Sequence, residues 1–169
     1  FIVAHESADL QSLAVAITRG AFEYQGQKCS AVSRCYIPQG MWGALAEKLK
    51  AMHAELKVGD ICDFTNFMGA VIDKRAFDKI KGYIDYAKES DDAQVILGGE
   101  CDDSKGYFIQ PTVVLTTDPN FKLIQEEIFG PVVTIYCYPD GEFAEVLELC
   151  DKASPYALTG AIFAREKAA

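Results

Sequence analysis

The sequence predicts an α/β fold, a mainly parallel open sheet flanked by helices. Three observations lead there. Short apolar runs alternate along the chain with segments of helical periodicity. Those runs are nearly continuous in hydrophobic residues, the pattern of strands covered on both faces. With 169 residues, 50% of them hydrophobic, the chain can bury roughly 70% of the surface its unfolded form would expose, enough for one core.

The elements follow in order. Phe1-Ile2-Val3 reads as an opening strand. Leu10, Leu13, Ala14, Ile17 and Ala21 recur at helical spacing behind Ser7 and Asp9, which can satisfy first-turn amides, and Gly26 marks where that helix should end. Arg34 to Ile37, before Pro38, reads as a short buried strand. Trp42, Leu45, Leu49, Met52 and Leu56 share one face of a second helix, and Asp73 can cap a third that carries Phe77, Ile80, Tyr83, Ile84 and Ala87. Val95-Ile96-Leu97 is a strand stopped by Gly98-Gly99. Tyr107 to Leu115 reads as extended around Pro111, with an excursion between it and the glycine pair. Val132 to Tyr138 is a β-rich run closed by Pro139-Asp140-Gly141; Phe143, Val146, Leu147 and Cys150 give a fourth helix, closed before Pro155; Leu158 to Phe163 is a last strand.

Composition excludes several classes of function. A net charge of −9 argues against a nucleic-acid partner, whose phosphates must be met by clustered Lys and Arg. No apolar run is long enough to span a bilayer as a helix, and Phe1-Ile2-Val3 lacks the basic and long apolar regions of a secretion signal. The six cysteines at positions 29, 35, 62, 101, 137 and 150 form no CxxC pair, and neither His5 nor His53 stands at metal-ligand spacing from a cysteine pair. No metal site is expected, and scattered thiols in a chain with its own core suggest a reducing compartment.

Two segments carry chemistry. Gly26-Gln27-Lys28-Cys29-Ser30-Ala31 presents one cysteine in the connection after a helix, and Gln125-Glu126-Glu127-Ile128-Phe129-Gly130-Pro131-Val132 leads into a strand. A lone loop cysteine is ordinarily a small packed thiol, and an acidic pair is ordinarily a solvated turn. Thiolate is nonetheless a strong nucleophile toward a carbonyl carbon, and backbone amides around the reacting carbon can stabilise the oxyanion.

Together the two segments resemble aldehyde dehydrogenases. In that family a GQxC element followed by a small residue marks the nucleophile, which here falls on Cys29. The second block implies that Glu127, an acceptor-only carboxylate, hydrogen-bonds the nicotinamide ribose hydroxyls of NAD, that Phe129 packs against the nicotinamide region, and that Gly130 and Pro131 fix the turn. The other five cysteines keep structural roles. Ala21-Phe22-Glu23-Tyr24, Gly106-Tyr107-Phe108 with Pro111-Thr112, Tyr136-Cys137-Tyr138-Pro139-Asp140 and Tyr156-Ala157-Leu158-Thr159-Gly160-Ala161 extend the resemblance nearly end to end. They are similar to the branch of the family that oxidises the open-chain γ-semialdehyde of glutamate to glutamate with NAD in proline catabolism. In that branch a serine directly after the nucleophile helps bind the substrate carboxylate, which makes Ser30 the candidate contact; a loop serine bonding its own backbone is the alternative.

The resemblance also implies an incomplete catalytic domain over residues 1–169. The family's main NAD-binding domain, oxyanion-hole asparagine and general-base glutamate lie upstream of Phe1, and its substrate-anchoring loop and terminal segment lie after Ala169. The expectation is a whole protein that acts on a small aldehyde as a homo-oligomer, in the mitochondrial matrix of a eukaryote or the cytoplasm of a bacterium, and a 169-residue piece that is inactive alone. A sister aldehyde dehydrogenase with another substrate, and a non-catalytic assembly module, are the alternatives.

Overall fold

The computed structural model describes residues 1–155 and 158–167. Its main sheet has six strands: β1 (Ile2–Ala4), β2 (Arg34–Pro38), β3 (Ala93–Leu97), β6 (Thr112–Thr116), β7 (Val132–Tyr138) and β8 (Ala161–Phe163), in the order β3-β6-β7-β2-β1-β8. Every neighbouring pair is parallel except the edge pair β3–β6. Two short strands, β4 (Cys101–Asp102) and β5 (Phe108–Ile109), pair as a separate antiparallel ribbon. This ribbon is the excursion expected after Gly98-Gly99, and Pro111, which cannot donate to a ladder, separates β5 from β6.

Side-chain alternation along each strand divides the core into two layers. Ile2, Ala4, Cys35, Ile37, Val133 and Ile135 pack with Leu13, Ile17, Leu45 and Leu49 of α1 (Leu10–Phe22) and α2 (Gln39–Glu55). Val3, Tyr36, Val114 and Val132 face the other way, onto Phe77, Ile80, Ile84, Val146 and Cys150 of α3 (Lys74–Glu89) and α5 (Phe143–Lys152). Asp9 and Asp73 cap α1 and α3 by accepting from the Ser12 and Ala76 amides at 2.8 and 2.7 Å. Ser7 does not cap; its hydroxyl contacts the His5 ring and accepts from the Arg165 amide.

Several boundaries move. The first helix stops at Phe22 and continues as a 3₁₀ turn over Glu23–Gly26, in which Tyr24 and Gln25 take φ of 56° and 58°. The second ends at Glu55, with Leu56 already extended. The last strand covers only Ala161–Phe163, while Leu158 is 78% exposed. A single helical turn, α4 (Lys122–Gln125), precedes the second chemical segment; four residues are too few to show a period. Tyr156 and Ala157, which open the last resembling segment, lie outside the described residues.

Candidate active site

Cys29 stands in a loop tied down at both ends. Before it, the Gln27 amide donates to the Tyr24 carbonyl and the Gln27 side-chain oxygen accepts from the Ile72 amide at 3.1 Å, fastening the loop to the segment before α3. After it, the Ala31 amide bonds Lys28 and the Val32 amide bonds Gly20. Cys29 and Ser30 themselves donate no backbone hydrogen bond among the described residues, so their amides are free beside an exposed thiol. The loop leaves the carboxyl end of α1, so any favourable amides at the thiol belong to the loop and not to a helix amino end.

Three consecutive left-handed residues, Tyr24, Gln25 and Gly26, bring the chain to this loop. Each non-glycine in that region costs about 1–2 kcal/mol, and such strain concentrates where geometry serves a ligand. Phe129 adds a third non-glycine at positive φ, 57°.

The second segment reaches the same place from α4. Tyr83 donates to the Glu126 carboxylate at 2.6 Å and Lys79 donates to the Glu127 carbonyl at 2.7 Å, so α3 holds this turn from below. Ile128 is buried, anchoring the turn, while Glu127 and Phe129 face outward on either side of it. The Glu127 carboxylate makes no hydrogen bond or ion pair among the described residues. It is the acidic group of the pair left available to a ligand.

Cys29, Glu127 and Phe129 line one cleft of ≈ 330 Å³. Its walls are the segments entering β1, β2, β7 and β8, four adjacent strands, so the cleft lies over the amino ends of the parallel sheet. Open α/β sheets usually bind nucleotides at strand carboxyl ends, so this sheet offers no such crevice at this cleft. Ile128 and Phe129 also border a second groove of ≈ 970 Å³, edged by Tyr24, Ile61, Phe64 and Ile72.

Ser30 follows Cys29 but does not line the cleft; it is exposed, with no side-chain hydrogen bond among the described residues. Lys28, whose direction the sequence leaves open, pairs with Glu23 at 3.4 Å. The Glu23 carboxyl is held below its ordinary range, first by the hydrogen bond from Arg19 and then by Lys28. Burial pushes the thiols of Cys35 and Cys137 up to about 12 and raises those of Cys101 and Cys150, which disfavours their thiolate forms. Gln27, Lys79, Tyr83 and Arg34 are site residues that sequence reasoning does not single out. Only Gln27 stands inside a motif; Tyr83 reads as one more apolar position of the third helix and Lys79 as a surface charge. Among the described residues no group of three His, Cys, Asp or Glu side chains could hold a metal ion, and no helix is long and apolar enough to cross a membrane.

An exposed loop thiol and a free carboxylate share one cleft of a mainly parallel α/β sheet, and the chain belongs to the aldehyde dehydrogenase family, whose model matches residues 1–169. More particularly, it is similar to the enzymes named Delta-1-pyrroline-5-carboxylate dehydrogenase, mitochondrial, of Dictyostelium discoideum and Danio rerio. It is 52% identical to the first over 94% of this chain and 28% of the relative, and 49% identical to the second over 99% and 30%. The crystal structure of the Mycobacterium tuberculosis Delta-pyrroline-5-carboxylate dehydrogenase bound with NAD superposes with a TM-score of 0.91 at 47% identity, over 99% of this chain and 30% of that one. The chain thus spans about 30% of the length of the relatives it matches.

Proposed function

We propose that the whole protein containing this chain oxidises L-glutamate γ-semialdehyde, the open form of 1-pyrroline-5-carboxylate, to L-glutamate with NAD, a step of proline catabolism. The observation that carries this reading is the shared cleft of Cys29 and Glu127. The relatives named above support the substrate.

Cys29 is the nucleophile. Its thiolate adds to the aldehyde carbon; a C–S bond forms as the carbonyl electron pair moves to oxygen, a charge that the unpaired Cys29 amide can stabilise. NAD, when bound, supplies the acceptor for the hydride that leaves this carbon. The resulting thioester of Cys29 is hydrolysed by water: a C–O bond forms, the C–S bond breaks, and the carboxylic acid and thiol are released.

The residues present fit NAD. Glu127 is an unengaged, exposed carboxylate suited to accept from the nicotinamide ribose hydroxyls, and Phe129 offers an exposed ring, held at the cleft rim by its left-handed backbone, to the nicotinamide. Ser30 is the proposed contact for the substrate carboxylate; its exposed position leaves that hydroxyl free. Two residues are too few to hold a dinucleotide, so the 169-residue chain alone is inactive, and the general base is a glutamate outside it. The whole protein is a homo-oligomer of two or more subunits, in the mitochondrial matrix if eukaryotic and the cytoplasm if bacterial.

The test is a substrate comparison on the whole protein. A kcat/KM for glutamate γ-semialdehyde well above that for simple aliphatic aldehydes is expected. Preference for the aliphatic aldehydes would assign the protein to a sister activity of the same family.

A further inference from the structure

Among the described residues Arg34 is the one buried charged side chain, 6% exposed, and no carboxylate answers it. Its Nε has no hydrogen-bond partner, and its guanidinium lies 5.7 Å from the centre of the Phe1 ring, with the Tyr36 hydroxyl and the Cys150 thiol beside it. A guanidinium does not shed its proton, so burial leaves a full positive charge out of water. Two further buried oxygens on the same sheet face are also unmatched: the Tyr36 hydroxyl, two residues along β2, and the Thr134 hydroxyl, from the register partner of Arg34 on β7. All three groups can donate, and none of these three atoms closes a well-formed hydrogen bond among the described residues; the neutral Tyr36 hydroxyl and Cys150 thiol beside the guanidinium leave its charge without a counter-ion.

Arg34 also lines the Cys29 cleft. The other cationic side chain there, Lys28, is engaged by Glu23. Of the three groups only Arg34 reaches the cleft wall, and its planar guanidinium fork suits the two oxygens of a carboxylate.

We propose that Arg34 is a carboxylate-binding residue of the cleft. The inference rests on the proposed function, under which the substrate brings its own carboxylate; the other source of the same chemistry is an Asp or Glu side chain of the whole protein outside this chain. Arg34 would share the work expected of Ser30, from a position already inside the cleft.

The whole protein carrying Arg34→Met, which keeps the stem and removes the charge, and Arg34→Lys, which keeps the charge and removes the fork, separates these cases. Two readouts are taken: the ratio of kcat/KM for glutamate γ-semialdehyde to that for pentanal, and the thermal midpoint. A substrate carboxylate on Arg34 lowers the ratio by about ten- to a hundredfold in Arg34→Met, less in Arg34→Lys, with the midpoint held or raised because an unpaired buried charge is gone. A protein carboxylate leaves the ratio in place, lowers the midpoint in Arg34→Met by stranding the acid, and lets Arg34→Lys recover part of the loss. An unchanged ratio with an unchanged or higher midpoint in Arg34→Met overturns the proposal, as does a midpoint loss that Lys fails to reduce. If the wild type instead prefers pentanal, the substrate assignment fails on its own. Competitive inhibition by glutarate, present in the wild type and weakened in Arg34→Met, then still decides whether Arg34 binds a carboxylate; equal inhibition in both overturns it.

Discussion

Gly26 and Gly130 meet backbone to backbone: a Cβ on Gly26 would stand 2.2 Å from the Gly130 carbonyl oxygen and 2.7 Å from that of Ala21, at a φ of +63°. The turn before Cys29 and the turn after Glu127 are thus packed as one unit, far apart in sequence and touching in space. Gly26→Ala faces both overlap and a left-handed backbone. The strain alone costs about 1–3 kcal/mol, and each kcal/mol lowers the midpoint of a domain this size by about 2–4 °C. Thermal unfolding should show that drop, whereas Gly43→Ala, with nothing within 4 Å of its Cβ in α2, should gain about 0.4–1 kcal/mol.

Glu127 and Glu126 are neighbours with different duties. In the whole protein Glu127→Gln should raise the KM for NAD by about tenfold, the worth of a hydrogen bond to a charged acceptor. Glu126→Gln keeps an oxygen for the Tyr83 hydroxyl, 2.6 Å away in the native structure, and should raise it far less. Equal effects, measured by steady-state kinetics with varied NAD, would remove the distinction.

Phe129 holds a backbone conformation that a bulky residue avoids, φ 57°. Phe129→Gly removes strain of about 1–2 kcal/mol, offset by the greater unfolded-state entropy of glycine at about 0.5–1 kcal/mol. The midpoint should hold or rise while the KM for NAD increases. A loss of stability without a change in KM would make Phe129 a packing residue.

Much of the fold was legible in residue patterns. Asp9 and Asp73 cap the helices they precede, the strands alternate between two helical layers, and Cys29 and Glu127 sit in short local motifs. What escaped depends on contacts between distant segments. Tyr24 and Gln25 are left-handed because the loop must reach Gly130, which no propensity records. Tyr83 looks like one more apolar helix position and Lys79 like a surface charge until the Glu126-Glu127 turn is laid across them. Arg34 reads as one more residue of a buried strand, and only the packing shows that no carboxylate among the described residues pairs with it.

The six thiols should separate by exposure and ionisation. Cys29 and Cys62 are exposed, whereas burial pushes Cys35 and Cys137 up to about 12 and raises Cys101 and Cys150. A thiol reagent at about pH 8, where reactivity follows the thiolate fraction, should label two cysteines rapidly in the native chain and all six after denaturation. Rapid labelling of Cys35 or Cys137 would contradict the packing described.

Capture of the covalent intermediate tests the whole account most directly. The whole protein is quenched during turnover with glutamate γ-semialdehyde and NAD, digested, and its cysteine peptides are weighed by mass spectrometry. A glutamyl thioester on the Cys29 peptide, absent from the other five, is the expected result. An adduct on another cysteine, or undiminished oxidation by Cys29→Ser, would contradict it.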